Sequence, residues 1–148
     1  MQPLSSIASE LGWKVTVVDK RPTNSREANF PRANAVLAKR APELGDSLLQ
    51  TIDAAVIANH NMNMDAEALA ALQHSSALYI GLLGPDKRKQ NVLALAKLSE
   101  NNLRKPVAGP MGLALGGDLP ESIALSVLAE CHAVVFGSNA LPLNHAYL

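Results

Sequence analysis

A chain of 148 residues with 48% hydrophobic side chains suits one compact domain, burying roughly two thirds of the surface its unfolded form exposes. Thirteen Lys and Arg balance thirteen Asp and Glu, which excludes a global field drawing the protein to nucleic acid or an anionic membrane, although residues 20–40 are locally basic. The single cysteine, Cys131, excludes an internal disulfide framework and a thiolate metal cluster and fits a reducing cytoplasm.

The segment before Lys14 lacks the basic start, apolar run and small-residue cleavage site of a leader. No later apolar run is long enough to span a bilayer, so the expectation is a soluble, cytoplasmic protein. From Pro3 to Gly12, apolar Leu4, Ile7, Ala8 and Leu11 recur at helical spacing and predict an opening helix. Trp13-Lys14-Val15-Thr16-Val17-Val18 is rich in β-branched residues and predicts a mostly buried strand that stops at Asp19. Residues 20–42, punctuated by Pro22, Pro31 and Pro42, predict little regular structure beyond a short edge strand over Ala35-Val36-Leu37-Ala38.

The apolar run Ala54-Ala55-Val56-Ile57-Ala58 predicts a second buried strand ending at Asn59-His60-Asn61, after which Asp65 can cap a helix bearing Leu69 and Leu72. Ala77-Leu78-Tyr79-Ile80 then leads through Gly81-Leu82-Leu83-Gly84 into a helix from Pro85 or Asp86, with Val92, Leu95, Ala96 and Ser99 along one side. Residues 106–117 read as loop. Asp118 with Glu121 has the spacing of a capping box for a helix carrying Ile123, Val127, Leu128 and Cys131. Repeated βα units predict an α/β, Rossmann-like three-layer domain with a mostly parallel sheet over residues 1–148, with no internal repeat.

In such a sheet ligands collect beyond the carboxyl ends of the strands, so Asp19, His60 and the Gly81–Gly84 loop are expected to converge. Asp19 is placed to accept hydrogen bonds from a ribose hydroxyl; its competing role is a solvated strand-end carboxylate or a partner of Arg21. Gly81 and Gly84 would let backbone approach a ligand, and Lys87, Arg88 and Lys89 would reinforce an anion there; the alternative is a tight turn before a solvated basic face. His60 can bind a ligand or shuttle a proton with Asp65 orienting it, or be a loop histidine beside a capping Asp65. Four scattered histidines give no metal site. Cys131, on the apolar side of its helix, reads as core.

A dinucleotide fold begins with a central strand and a Gly-x-Gly-x-x-Gly turn, and nothing before Pro3 supplies either, so the domain reads as N-terminally incomplete. The strand ending at Asp19 then lacks a neighbour. Either another segment, such as one from a second copy in a homodimer, fills the slot, or the remaining strands close up.

The blocks Trp13 to Arg21, Tyr79-Ile80-Gly81-Leu82-Leu83-Gly84, and Gly112-Leu113 followed by residues 119–130 together resemble the C-terminal domain of the XdhC/CoxI family, in order and over nearly the whole chain. The resemblance implies a non-catalytic accessory protein that binds molybdenum cofactor, protects it during sulfuration and passes it to an apo molybdenum hydroxylase such as xanthine dehydrogenase. It implies a further partner in the sulfuration or nucleotide-transfer enzyme, with a nucleotide as an additional ligand. Carried onto this chain, the implied ligand surface comprises Asp19, Arg21, His60, Asp65, Gly81, Gly84, Gly112 and Glu121. The glycine-rich turn and the separate N-terminal domain of many members have no counterpart here. Two rivals remain open: a nicotinamide or flavin oxidoreductase using Asp19 and His60, and a ligand-free protein-interaction module.

Overall fold

Two parallel strand pairs and two helical layers organise the chain. The computed structural model describes residues 2–21 and 27–147; the break expected at Pro22 lies outside the described residues. The elements in chain order are α1 (Gln2–Glu10), β1 (Thr16–Val18), β2 (Ala35–Leu37), α2 (Asp46–Leu49), β3 (Ala54–Ile57), α3 (Met62–Leu72), β4 (Tyr79–Leu82), α4 (Asp86–Leu95) and α5 (Pro120–Val135). Single 3-10 turns occupy Glu27–Asn29 and Ala41–Glu43.

β1 runs parallel to β2 with Thr16 opposite Ala35, and β3 runs parallel to β4 with Ala54 opposite Tyr79. Beyond β4, the Leu82 N–H donates to the Ala108 carbonyl at 2.8 Å and the Ala108 N–H to the Ile80 carbonyl at 2.9 Å, adding a parallel bridge. Among the described residues no ladder joins the two pairs, which stand as separate sheets. The remaining strands have therefore not closed up.

Successive side chains of a strand face opposite ways, and β4 uses this to build three layers. Ile80 and Leu82 join Leu69 and Leu72 of α3 and Val92 and Leu93 of α4 in the main apolar cluster. Each such side chain, fully buried, contributes roughly 1.5–3 kcal/mol relative to exposure. Tyr79 points the other way, where its hydroxyl donates to Glu130 of α5 at 2.7 Å. α1 packs against α5 on that side.

Several expected boundaries move for identifiable reasons. α1 stops at Glu10, leaving Leu11 47% exposed. β1 is shorter than expected at its start because Trp13 stacks on His132 of α5, ring centres 5.8 Å apart, and the Val15 N–H donates to the Asn34 side chain. α4 turns Val92 and Leu93 inward and leaves Leu95 49% exposed, which corrects the face expected to carry Leu95 and Ser99.

The caps differ as well. Asn61, not Asp65, caps α3 by accepting from the Met64 N–H at 3.1 Å. α5 begins at Pro120 behind Leu119, without a side-chain cap bond, so the Asp118–Glu121 capping box does not form; proline at the first helical position, with its preset φ, marks the start instead. Ile123 is exposed, whereas Val127, Leu128 and Cys131 are buried as expected. No helix among the described residues is long and apolar enough to cross a membrane.

Burial, with the Glu130 charge adding to it, pushes the Cys131 thiol up to about 11. A raised folded-state value means that the stability from burying the neutral thiol is fully present below the ordinary thiol range and is lost as pH rises through about 11. Native protein at pH 8 is accordingly expected to resist a thiol-specific disulfide reagent, with full labelling only in denaturant. Rapid native labelling would contradict the core assignment.

Candidate functional site

Because β3 and β4 are parallel neighbours, the turns that follow them lie side by side. His60 lies just beyond β3, Gly84 just beyond β4, and with Ala58, Asp65, Leu83 and Arg88 they line a cavity of about 150 Å3. The expected convergence of His60 with the glycine loop thus occurs.

Asp65 is the hub. It is 1% exposed, and its Oδ1 accepts from the Asn59 main-chain N–H at 3.1 Å and the Asn59 amide at 3.0 Å. Its Oδ2 accepts from Arg88 Nη2 at 2.7 Å. One carboxylate on the first turn of α3 therefore fixes the β3–α3 turn and ties it to α4. Asp65 neither caps α3 nor bonds His60; it orients Arg88.

Gly84 makes that reach possible. It sits at φ +112, and a Cβ there would come 2.6 Å from the Arg88 Cδ. Its missing side chain thus admits the Arg88 stem. His60 is also left-handed, at φ 57, a conformation uncommon outside glycine and enriched at functional turns.

Gly81 and Gly112 serve packing. A Cβ on Gly81 would lie 2.8 Å from the Tyr79 hydroxyl and 3.0 Å from the Met111 sulfur; one on Gly112 would lie 2.5 Å from Ser126 Oγ. The Gly112 N–H and the Tyr79 hydroxyl both donate to Glu130 Oε1, at 3.0 and 2.7 Å, which pins the loop after the Ala108 bridge against α5. Burial and this carboxylate drive the Tyr79 hydroxyl above its ordinary range. Glu121 lies exposed in the first turn of α5, away from the cavity lining.

Asp19 takes the competing role foreseen for it. Its carboxylate accepts from Arg21 Nε at 3.0 Å, Arg21 Nη2 at 2.8 Å and the Arg21 N–H at 2.9 Å, and neither residue lines the cavity. Guanidinium hydrogen bonding to Asp19 raises the Arg21 pKa further. Arg40, beyond β2, pairs with Glu67 of α3, linking the β1–β2 side to the α3 layer; this bond lowers the Glu67 pKa.

Sequence reasoning offers Arg88 only as one of three basic residues and gives Asn59 and Glu130 no role in the site. A signal exists for Asn59, a side chain able to bond backbone in the turn. None singles out Glu130, whose partners lie 51 and 18 residues away.

Parallel strands, helices on both faces and a cavity at the carboxyl ends of adjacent strands define a Rossmann-type α/β domain. The sequence profile described as the XdhC Rossmann domain matches residues 1–131, and the chain belongs to that family. It is 35% identical over 130 residues to a Bacillus subtilis protein named as a probable xanthine dehydrogenase subunit, a match covering 86% of this chain and 38% of that one. A crystal structure described as a xanthine dehydrogenase from Bacillus halodurans superposes with a TM-score of 0.77 at 27% identity, over 96% of this chain and 41% of the other. The chain thus spans about two fifths of the length of these relatives.

Proposed function

We propose that this chain is the Rossmann module of an accessory protein for xanthine dehydrogenase-type molybdenum hydroxylases, and that it binds molybdenum cofactor as cargo rather than catalysing a reaction. Family membership and the relatives' names support the link to xanthine dehydrogenase. The observation that carries cargo binding is the cavity at the ends of β3 and β4, which places an imidazole and a guanidinium together where this class of sheet receives its ligands.

The cavity's size limits what it holds. About 150 Å3 falls below the roughly 300–1,000 Å3 of pockets that enclose a small molecule, so it fits one end of the cargo. Of the residues implied by the family resemblance, His60 and Gly84 are the contacts retained here. Asp65, Gly81 and Gly112 shape the protein around them. Asp19 is paired with Arg21, with which a ribose hydroxyl would share its carboxylate.

Anaerobic equilibrium binding tests this reading, with molybdenum cofactor as ligand and a nicotinamide dinucleotide run in parallel. Stoichiometric cofactor binding that weakens about tenfold in His60→Ala, equivalent to about 1.4 kcal/mol, is expected. Folded protein that ignores the cofactor overturns the cargo reading, and preferential dinucleotide binding selects an oxidoreductase instead.

A further inference from the structure

We infer that the His60–Arg88 cavity is a subsite for one tetrahedral oxyanion, the phosphate-ester end of a phosphorylated ligand, with Arg88 as the contact and Asp65 as its positioning residue. The inference rests on the cargo reading only for the identity of the larger ligand. The subsite itself follows from how charge is disposed around the cavity.

Among the described residues Asp65 is the only carboxylate in the lining, and both its oxygens accept bonds within the protein, Oδ1 from Asn59 and Oδ2 from Arg88. Those bonds fill three of its roughly four lone-pair sites, so little of its accepting capacity is left to attract a cation. Among the described residues no group of three His, Cys, Asp or Glu stands together that could hold a metal.

Arg88 is bound differently. Among the described residues only its Nη2 is committed, to Asp65, and its side chain keeps 27% exposure. A guanidinium carries five N–H donors in a planar fork, so anchoring one nitrogen fixes the plane while the others stay available. That is the pre-organised form in which arginine recognises phosphate.

The other walls sharpen the choice. Ala58 and Leu83 are apolar and lower the local dielectric, which strengthens a charge-assisted hydrogen bond. His60, exposed on a left-handed backbone, lines the same cavity and brings an imidazole to its wall. Asp86 occupies the first turn of α4 and competes for the field of the helix end, so the subsite depends on the two side chains and the cavity, not on the helix dipole.

Inorganic phosphate and sulfate are the probes, titrated into the whole chain while backbone amides and arginine side-chain signals are followed by NMR. The expected result is a saturable shift confined to His60, Gly84 and Arg88, shared by both anions. Arg88→Lys keeps the charge and the pairing with Asp65 but loses the fork, and is expected to weaken binding at least tenfold with little change in Tm. His60→Gly is expected to weaken binding several-fold while raising Tm, since glycine relieves the left-handed strain.

A purely structural Asp65–Arg88 pair predicts unchanged anion affinity in Arg88→Lys, and that result overturns the subsite. So do shifts spread over surface lysines, or no shift at all. The cargo reading fails separately. Molybdenum cofactor binding that phosphate cannot compete away removes the subsite and keeps the cargo, whereas phosphate bound at Arg88 without cofactor binding does the reverse.

Discussion

Asp65→Ala is expected to destabilise the protein by about 3–5 kcal/mol, the usual cost of removing one partner from a buried ion pair. The Asn59 N–H loses its acceptor, the Arg88 guanidinium loses its anchor, and the β3–α3 turn loses its tie to α4. Because Arg88 retains partial exposure and can turn toward water, the lower end of that range is the sharper expectation. Urea denaturation measures it directly.

The diagnostic comparison is with Asp65→Ala/Arg88→Met, in which the stranded charge is gone as well. Removing both members of a buried pair is far less costly than removing one, so the double variant should regain about 1 kcal/mol or more over Asp65→Ala. A double variant no more stable than the single one would show that the Asn59 bonds, not the ion pair, carry the effect.

Gly81→Ala is the second large effect, and it arises from crowding. The new methyl would meet the Tyr79 hydroxyl, the adjacent ring carbon at 2.9 Å and the Met111 sulfur. Tyr79 must then move off Glu130, and the Glu130 bond to the Gly112 N–H is left to hold the loop alone. Overpacking of this kind costs about 1–3 kcal/mol, and losing a hydrogen bond to a charged acceptor adds about 1.5–3 kcal/mol, so a loss of about 3 kcal/mol is expected by thermal or chemical denaturation.

Coupling separates this mechanism from a general intolerance of the strand. Tyr79→Phe already lacks the hydroxyl and its bond to Glu130, so adding Gly81→Ala to it should cost less than in the parent, by about 1 kcal/mol or more. Additive losses would mean that Gly81 matters for its backbone rather than for the ring beside it.

How far the sequence discloses this structure depends on how local each determinant is. β3 is legible in Ala54–Ile57 because an uninterrupted apolar run needs no partner to be recognised, and β2 is legible at Ala35–Leu37 between turn-forming residues. The fold class follows from the repeated βα alternation. The cap of α3 is not legible, because Asn61 and Asp65 are both cap-competent types and only the backbone turn decides which side chain meets a free amide.

The site is half legible for the same reason. His60 and Gly84 announce themselves at strand ends, and parallel pairing brings them together. The bond that organises them joins Asp65 to Arg88 across 23 residues, and no spacing rule links a residue of one βα unit to a residue of the next. In the sequence Gly81 and Gly84 read as room for a ligand; in the structure a Cβ would meet Tyr79 and Met111 at Gly81 and Arg88 at Gly84, while Gly84 also lines the cavity. A sequence shows that a side chain is missing but not which atoms use the gap.

Among the described residues, the β1–β2 and β3–β4 pairs share no ladder bond. The main apolar cluster and the residues packed on it run from Leu44 to Val107 and draw nothing from α1, β1, β2 or α5, so the cavity stands on the tightly held portion. Backbone opening of β1 and β2 breaks no ladder bond of β3 and β4, which makes it a separate, shallower excursion than global unfolding. Asp19 and Arg21 directly follow β1, so fraying of that pair is expected to reach them before it reaches the walls around His60 and Arg88.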